Sequence, residues 1–546
     1  MYRHPYRCAG LESLAMIPHP RTQLNPDFAG LFLHEAVLRS AEDYGNNIAL
    51  VDTSLPPSHL RHRISYAEYG SMVEDLARGF VREGLRPGEV VALFLTNSWE
   101  FCVAFHAATL AGLIPTLLNP HYREREVRYQ LSDSDAVLLI SDGPLLADIN
   151  LGGLHSLRNV FTTRTPCASA EDFASLLHSS SSALPQLAAA PNQTLAALPY
   201  SSGTTGLPKG VMLTHENLVV NCRQFLAPGE EGTNRPDEIV LCFLPLYHIY
   251  GLNVVLNPAL MMGNTVVLMP RWDLQRAAQV VVEEAVTWIN VVPPVMNAIC
   301  NAVVEGRFPR AGEHCIRGAK SGAAPLAPEL PRRFTQLTGI RVRQGYGMTE
   351  ASPVTHLGYL EAERYCPESI GQAAAATECR ILREDGCECD PNEAGELVMR
   401  GAQFMHGYWK NPEATASVLR DGWYFSGDVA TADQQGFFRI VDRRKELIKY
   451  KGLAIAPAEV ESVLLEHPAV RDCGVVGRAD DACGEVPVAF VVAQSPEHCE
   501  RLHTELPRYV AERLSTFKQP REVRIVESIP RNPSGKILRK DLRAQL

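Results

Sequence analysis

The sequence predicts an α/β fold in two unequal domains, on three observations. From Leu31 to Asp142, and again from Ile239 to Val292, short apolar runs alternate with helical patterns, the sequence form of strands joined by crossover helices in parallel layers. The 546 residues exceed what one hydrophobic core supports. After a basic stretch near residue 445, the chain presents a second full set of strand and helix patterns, enough for a small domain with its own core.

Along the chain, residues 1–30 are rich in Pro, Arg and His and are expected to be poorly structured. Ser65–Glu83 has the apolar spacing of an amphipathic helix, and Val90–Leu95 and Ala136–Ile140 have the composition of buried strands. Ser175–Asn192 is low in complexity and predicts a surface loop. Thr194–Tyr200 is a short buried strand, and Thr214, followed by Glu216 and Asn217, opens a helix. Ile239–Leu244, Thr265–Met269 and Trp288–Val292 continue the alternation, and Gly395–Arg400 and Gly436–Val441 are strands. The second half of Val441–Gly452 marks the boundary, dividing the chain into 1–442 and 443–546. Beyond it, helices are expected at Ala456–His467 and His503–Leu514, with strands at Asp472–Val476, Val486–Val492 and Glu522–Val526.

Composition narrows the class. A 46% hydrophobic and 21% charged content is that of an ordinary globular protein. The net charge of −10, with no basic run of five or more, argues against nucleic acid as a partner. Two uncharged runs, Phe101–Pro120 and Tyr250–Pro270, are long enough to span a bilayer. Both contain Pro, Gly and polar residues, so each is better explained as a buried helix running into a buried strand, as in Trp99–Leu113 followed by Ile114–Leu118. The first 20 residues lack the continuous apolar segment of a secretory signal. The 14 cysteines form no C-x-x-C pair, which suits reduced thiols inside a cell. The C-terminal Arg543–Leu546 lacks the basic residue of the S-K-L address, so a cytoplasmic location is expected over a peroxisomal one.

The richest chemistry lies in Tyr200–Gly210, YSSGTTGLPKG. Glycine tolerates the dihedrals that turn successive backbone N–H groups inward, the hydroxyls add donors, and Lys209 adds a positive charge. Such a loop can cradle a polyphosphate. It is not a Walker A loop, because the G-x-x-x-x-G-K-[ST] spacing is missing. The bland alternative is a Ser/Gly-rich surface turn, which the flanking strand and the lysine disfavour.

This loop resembles the signature of the adenylate-forming superfamily, which includes acyl-CoA synthetases, aryl-CoA ligases such as 4-coumarate–CoA ligase, beetle luciferases and peptide-synthetase adenylation domains. Four more stretches match the same family in order: Tyr346–Glu350 (YGMTE), Ser426–Asp428 (SGD), Val441–Gly452 (VDRRKELIKYKG) and Pro530–Lys536 (PRNPSGK). The resemblance implies a large multi-layer N-terminal domain binding ATP and acid, and a small mobile α+β C-terminal domain. It also implies a reaction in two halves. A carboxylate attacks the α-phosphate of ATP, releasing pyrophosphate; a thiol, usually that of coenzyme A, then displaces AMP. ATP, Mg²⁺, coenzyme A and a small carboxylic acid are the implied partners.

Carried over residue by residue, the resemblance assigns the β- and γ-phosphates to Ser201, Ser202, Gly203, Thr204, Thr205, Gly206 and Lys209. Thr349 is placed to donate to the α-phosphate and Glu350 to help hold Mg²⁺, a cation that takes one or two carboxylates plus phosphate oxygens. Tyr346 is the residue to stack on adenine, with a core tyrosine as the alternative. Asp428 and Arg443 are assigned to the ribose, Lys445 to the hinge, and Lys451 and Gly452 to the coenzyme A side. Lys536 would bridge the incoming carboxylate and the α-phosphate. His248 would gate the substrate carboxylate, with a satisfied core histidine as the alternative. Ala454 departs from the 4-coumarate ligase pattern, where glutamine is common.

The acyl pocket is expected from Tyr250, Met296, Ser321, Gly322, Ala323, Gly345, Gly347, Pro353 and Val354. Several of these are small and the one nearby charge is Lys320, so an apolar acid is expected over an amino acid. Aryl acids of the cinnamate type and medium-chain fatty acids both fit. Two other classes stay open at this point: a free-standing adenylation enzyme loading a carrier-protein thiol, and a non-catalytic nucleotide-binding protein on the same fold. An oxidative, luciferase-like fate of the adenylate is a further possibility.

Overall fold

The structure, a computed structural model, describes residues 24–168, 170–178, 182–201, 207–227, 235–324, 326–443, 446–450, 453–480, 483–531 and 535–546. Its centre is the helix Trp99–Leu110, which is mostly apolar and buried on every side, with Glu100 and His106 satisfied by Arg164 and Asn257. Ser98 caps it by accepting from the Phe101 N–H at 3.3 Å. The amphipathic helix Tyr66–Arg82, with Ser65 and Glu68 closing a capping box, packs against it.

Two large sheets flank this core. The first runs Gln372–Ala373, Val354–Leu357, Val342–Gly347, Gly318–Ser321, Trp288–Val291, Ile239–Cys242, Thr265–Leu268, Ile48–Asp52, Arg63–Ser65. The second runs Gly407–Tyr408, Lys209–Thr214, Leu195–Ser201, Ile114–Leu117, Val90–Phe94, Leu138–Asp142, Asn159–Thr163, Glu171–Asp172. Their interiors are parallel; both edges of the first sheet are antiparallel, and so is one edge of the second, as in Leu195–Ser201 with Lys209–Thr214, whereas Glu171–Asp172 at its other edge pairs parallel. Inner strands such as Val90–Phe94 are buried at every position, which is why they are continuous apolar runs. A third, antiparallel sheet joins Glu378–Leu382, Gly395–Arg400, Trp423–Ala432 and Phe438–Arg443.

The small C-terminal domain has its own sheet, built on the long hairpin of Val470–Asp480 with Gly484–Ala493. Ile448–Tyr450 and Leu453–Ile455 form a short hairpin at one edge, in which Ala454 pairs with Lys449. Two apolar clusters lie on the faces of this sheet. One gathers Val460, Leu464, Leu502 and Leu506, the other Phe490, Ile529 and Leu542.

Most expected elements are present, displaced by no more than four residues at their ends. Three expectations are corrected. Within the stretch expected to be poorly structured, Pro26–Phe28 is a short helix with Phe28 buried, and the Asn25 N–H donates to the Arg223 carbonyl at 3.1 Å. The loop expected over Ser175–Asn192 overlaps a helical turn, Phe173–Leu177, whose Leu176 is fully buried. Lys209 and Gly210 are not loop residues but begin the strand Lys209–Thr214. Alternation signals cannot reveal that strand, because its first two residues carry glycine and charge. Among the described residues no helix is long and apolar enough to cross a membrane, and no cysteine is in a disulfide.

Candidate active site

The strands Leu195–Ser201, Gly318–Ser321 and Val342–Gly347 end at one cleft, and ligands of open α/β sheets bind outside such carboxyl ends. A Cβ on Gly347 would lie 2.0 Å from the Pro353 carbonyl oxygen, so only glycine lets the chain pass. The chain then makes the turn Thr349–Ala351 and passes Ser352, with a φ of +70°, and a cis bond to Pro353. Two buried amides hold this turn. Asn253 Nδ2 donates to the Ser352 carbonyl at 2.6 Å. Asn221 donates to the Val354 carbonyl at 2.8 Å and accepts from its N–H at 3.2 Å.

Glu350, buried in this turn, has its own carbonyl pinned by the Met405 N–H at 2.8 Å. Its Oε1 accepts from Ser201 Oγ at 3.1 Å and from the Tyr408 hydroxyl at 2.9 Å. Lys209 Nζ stands 5.2 Å from the centre of the Tyr408 ring. Ser201 and Lys209 are thus brought beside Glu350, the lysine by way of Tyr408, with Thr349 half-buried next to Glu350. No group of three or more His, Cys, Asp or Glu that could hold a metal occurs among the described residues. A single protein carboxylate completed by phosphate oxygens and water suits Mg²⁺, which keeps most of its ligands outside the protein.

Asp428 follows Gly427, whose φ of +68° turns the strand Trp423–Ala432 so that the carboxylate faces the cleft rim. Ser426 Oγ accepts from the Asp428 N–H at 3.0 Å and donates to the Leu397 carbonyl at 2.6 Å. Arg443 is its cross-strand partner and comes within 3.3 Å of Oδ1, and the Tyr346 hydroxyl donates to Oδ2. Burial and the Asp428 charge raise the Tyr346 phenol far above its usual range, so it stays a donor. Tyr346, Asp428 and Arg443 are one cluster. The Tyr346 ring is partly exposed and packs edge-on to His356, 5.7 Å between centres.

From the small domain, Lys536 enters this cleft. A Cβ on Gly535 would lie 3.3 Å from the Pro294 ring, which seats the segment on the helix Pro293–Val304 of the large domain. Burial first, then the positive charge of Arg443, lowers Lys536 to about 8, opposed by the carboxylates of Asp428 and Glu350. His248 is lowered to about 4 by burial and then by Lys536, so its imidazole is neutral at physiological pH. Its Nδ1 accepts from the Tyr250 N–H at 3.2 Å.

The Tyr250 ring leads to the expected acyl pocket. A Cβ on Gly322 would meet the Gly345 carbonyl at 3.4 Å and the Tyr250 ring at 3.5 Å, ordinary van der Waals contacts, so the Gly322 backbone lies close beside that ring. The Tyr250 hydroxyl donates to the Lys320 carbonyl at 3.2 Å. Lys320, only 3% exposed, holds its ammonium 4.8 Å from the centre of Phe225 and 5.6 Å from that of Trp288. Ser321, Pro353 and Val354 are buried, Met296 is fully enclosed in the main core, and Ala323 is exposed with a φ of +70°. Ser202, Gly203, Thr204, Thr205, Gly206, Lys445, Lys451 and Gly452 lie outside the described residues. Asn221, Asn253 and Tyr408 were missed by sequence reasoning. The only signal for the asparagines is an amide inside an otherwise apolar helix, as in Gly251–Leu256.

The fold and cleft define an adenylate-forming enzyme, and residues 37–409 match the AMP-binding enzyme family while 459–536 match the AMP-binding enzyme C-terminal domain. The chain is 38% identical over 534 residues to 4-coumarate–CoA ligase 5 of Oryza sativa subsp. japonica, covering 95% of this chain and 96% of that one. It superposes with a TM-score of 0.83 on a benzoate CoA ligase from Burkholderia xenovorans, 25% identical over 94% of this chain and 100% of that one. The o-succinylbenzoate coenzyme A synthetase MenE from Bacillus subtilis, in complex with ATP and magnesium ion, gives a TM-score of 0.78, 29% identity, and coverage of 93% and 99%. The chain belongs to the AMP-binding enzyme family. Within it, this protein is an AMP-forming acid–CoA ligase whose co-substrates are ATP and coenzyme A and whose metal is Mg²⁺.

Proposed function

We propose that the acid activated here is an aryl acid of the cinnamate type. The observation that carries this is the Tyr250 ring standing beside the bare backbone of Gly322 and Gly345, an uncharged aromatic wall against which a planar conjugated acid can lie. The relatives support it, being a 4-coumarate–CoA ligase and a benzoate CoA ligase. No observation favours a carrier-protein thiol over coenzyme A.

In this reading the acid carboxylate lies between His248 and Lys536. His248 is neutral and adds no charge there, whereas the Lys536 ammonium offsets repulsion between the carboxylate and the α-phosphate. Thr349 donates to the α-phosphate as charge develops on it, and Ser201 and Lys209 hold the departing pyrophosphate. Mg²⁺, held through Glu350, supplies charge neutralisation for the phosphates. Asp428 and Arg443 hold the ribose hydroxyls; Tyr346, tied to Asp428, presents its ring to the adenine. After adenylation the small domain turns about the segment beyond Arg443, where Lys445 is the pivot, and withdraws Lys536 so that Lys451 and Gly452 face the thiol.

The test is pyrophosphate release with Mg·ATP across hexanoate, octanoate, cinnamate, 4-coumarate, benzoate and phenylalanine, with and without coenzyme A. Release with the cinnamates, raised by coenzyme A and accompanied by AMP, is expected. Preference for octanoate would overturn the substrate class, and release indifferent to coenzyme A would overturn the acceptor.

A further inference from the structure

Tyr408 belongs to the two-residue strand Gly407–Tyr408, which pairs antiparallel with the strand that Lys209 begins. Four backbone bonds fix this segment. Met405 N–H donates to the Glu350 carbonyl and His406 N–H to that of Met212, at 2.8 and 2.9 Å. Trp409 N–H donates to the Gly210 carbonyl at 2.8 Å, and Tyr408 N–H to Thr415 Oγ1 at 2.9 Å. The segment is therefore tied at once to the metal-side turn and to the phosphate-side strand. Its side chain, 8% exposed, makes the same two connections: the hydroxyl to Glu350 Oε1 at 2.9 Å, the ring face to Lys209 Nζ at 5.2 Å. A phenol can serve a carboxylate and a cation together, one through its edge donor and the other through its ring quadrupole.

We propose that Tyr408 is a positioning residue for Mg·ATP: with Ser201 it commits Oε1 of Glu350 to two hydroxyl donors, leaving Oε2 to the cation, while its ring fixes the spacing between Glu350 and Lys209. The proposal rests on the reading of Glu350 as the metal-holding carboxylate. Two donors on one oxygen select a single carboxylate rotamer before the metal arrives, so binding the metal orders less of the side chain.

Tyr408→Phe removes only the hydroxyl and keeps the ring under Lys209. The probe is Mn²⁺, followed by its electron paramagnetic resonance in the ternary complex of full-length protein with a non-hydrolysable ATP analogue. The expected result is a rise of roughly tenfold in the Mn²⁺ dissociation constant, as supporting partners of metal ligands typically give. The melting temperature and thioester formation from a supplied acyl-adenylate stay unchanged. Ser201→Ala, which removes the other donor, shifts Mn²⁺ affinity in the same direction. Tyr408→Leu adds a loss of analogue affinity without metal. Glu350→Gln is the reference. If it weakens Mn²⁺ binding and Tyr408→Phe does not, the positioning role is overturned while the metal reading stands. If Glu350→Gln leaves Mn²⁺ binding intact, the metal reading itself fails and the proposal falls with it. An equal loss in both half-reactions with a lowered melting temperature would mark Tyr408 as merely structural and likewise overturn the proposal.

Discussion

Glu350 and Lys536 reach the same cleft from the two domains and are held there by opposite means. Around Glu350 everything converges: two hydroxyls on one carboxylate oxygen, a backbone N–H on its carbonyl, and the amides of Asn221 and Asn253 behind the turn. The loop that carries Lys536 is fastened within its own domain. Arg531 Nη1 donates to the Gly535 carbonyl at 2.8 Å, the Leu538 N–H donates to the Pro530 carbonyl at 2.9 Å, and Arg539 pairs with the buried Glu461. Its burial in the cleft comes from abutting the other domain, beside a second cation, Arg443. A buried ammonium near like charge is costly until an anion joins it. On the proposed reading, the large domain pre-organises the nucleotide site, whereas the small domain delivers a charge whose docking the phosphates of ATP would stabilise.

The strongest attempt to break this comparison is Lys536→Ala. Adenylate formation should fall on the order of 10²–10³-fold, the size of one lost electrostatic contact to a developing charge. Thioester formation from a supplied acyl-adenylate should be spared, as separate assays of the two half-reactions would show. Loss of the second step with the first intact would reverse the assignment. Next in size is Asp428→Asn, which removes the negative charge and one of the two oxygens that serve Tyr346 and Arg443. The KM for ATP should rise about tenfold or more, in line with a charged hydrogen bond of about 1.5–3 kcal/mol, with KM for the acid little changed. Smaller in its effect on chemistry is Leu506→Ala in the small domain's core. A cavity there costs roughly 2–5 kcal/mol. Hydrogen exchange should report early opening of the small domain while ATP still binds to the large one; loss of ATP binding would mean the two domains do not stand apart.

How far the sequence alone reached follows the same division. The strands Ile239–Cys242 and Trp288–Val291, the helix Tyr66–Arg82 and the small domain's hairpin are legible because burial imposes a period on them. Lys209, Glu350, Asp428 and Lys536 are legible because each sits in a short motif whose glycines and prolines punctuate it. What stays hidden is the layer beneath. Tyr408 lies 58 residues from the carboxylate it touches, and Asn253 lies 99 from the carbonyl it holds, separations that no local pattern encodes. The approach of Gly322 to the Tyr250 ring is again a property of topology rather than of either residue.

The smallest effect sharpens the comparison through pH. Lys536 titrates near 8 in the folded protein, against 10.5 for an ordinary lysine. Below pH 8 both folded and unfolded chains carry the charge, so the cost of burying it is fully present. Between 8 and 10.5 the unfolded chain binds more protons, and stability rises with pH as the folded lysine sheds its charge. Lys536→Met should therefore melt a few degrees higher than the parent protein at pH 7, the difference shrinking as pH climbs past 8. Saturating ATP should shrink the difference at pH 7, because the phosphates add negative charge to that of Asp428 and Glu350 and return the lysine toward its ordinary range. Adenylation measured as kcat/KM should keep its full value below pH 8 and fall about tenfold per unit above it, since only the ammonium serves. A stability difference between the two proteins that ignored pH would mean that Lys536 spends its time outside the cleft in the free enzyme, and that docking of the small domain follows nucleotide binding rather than preceding it.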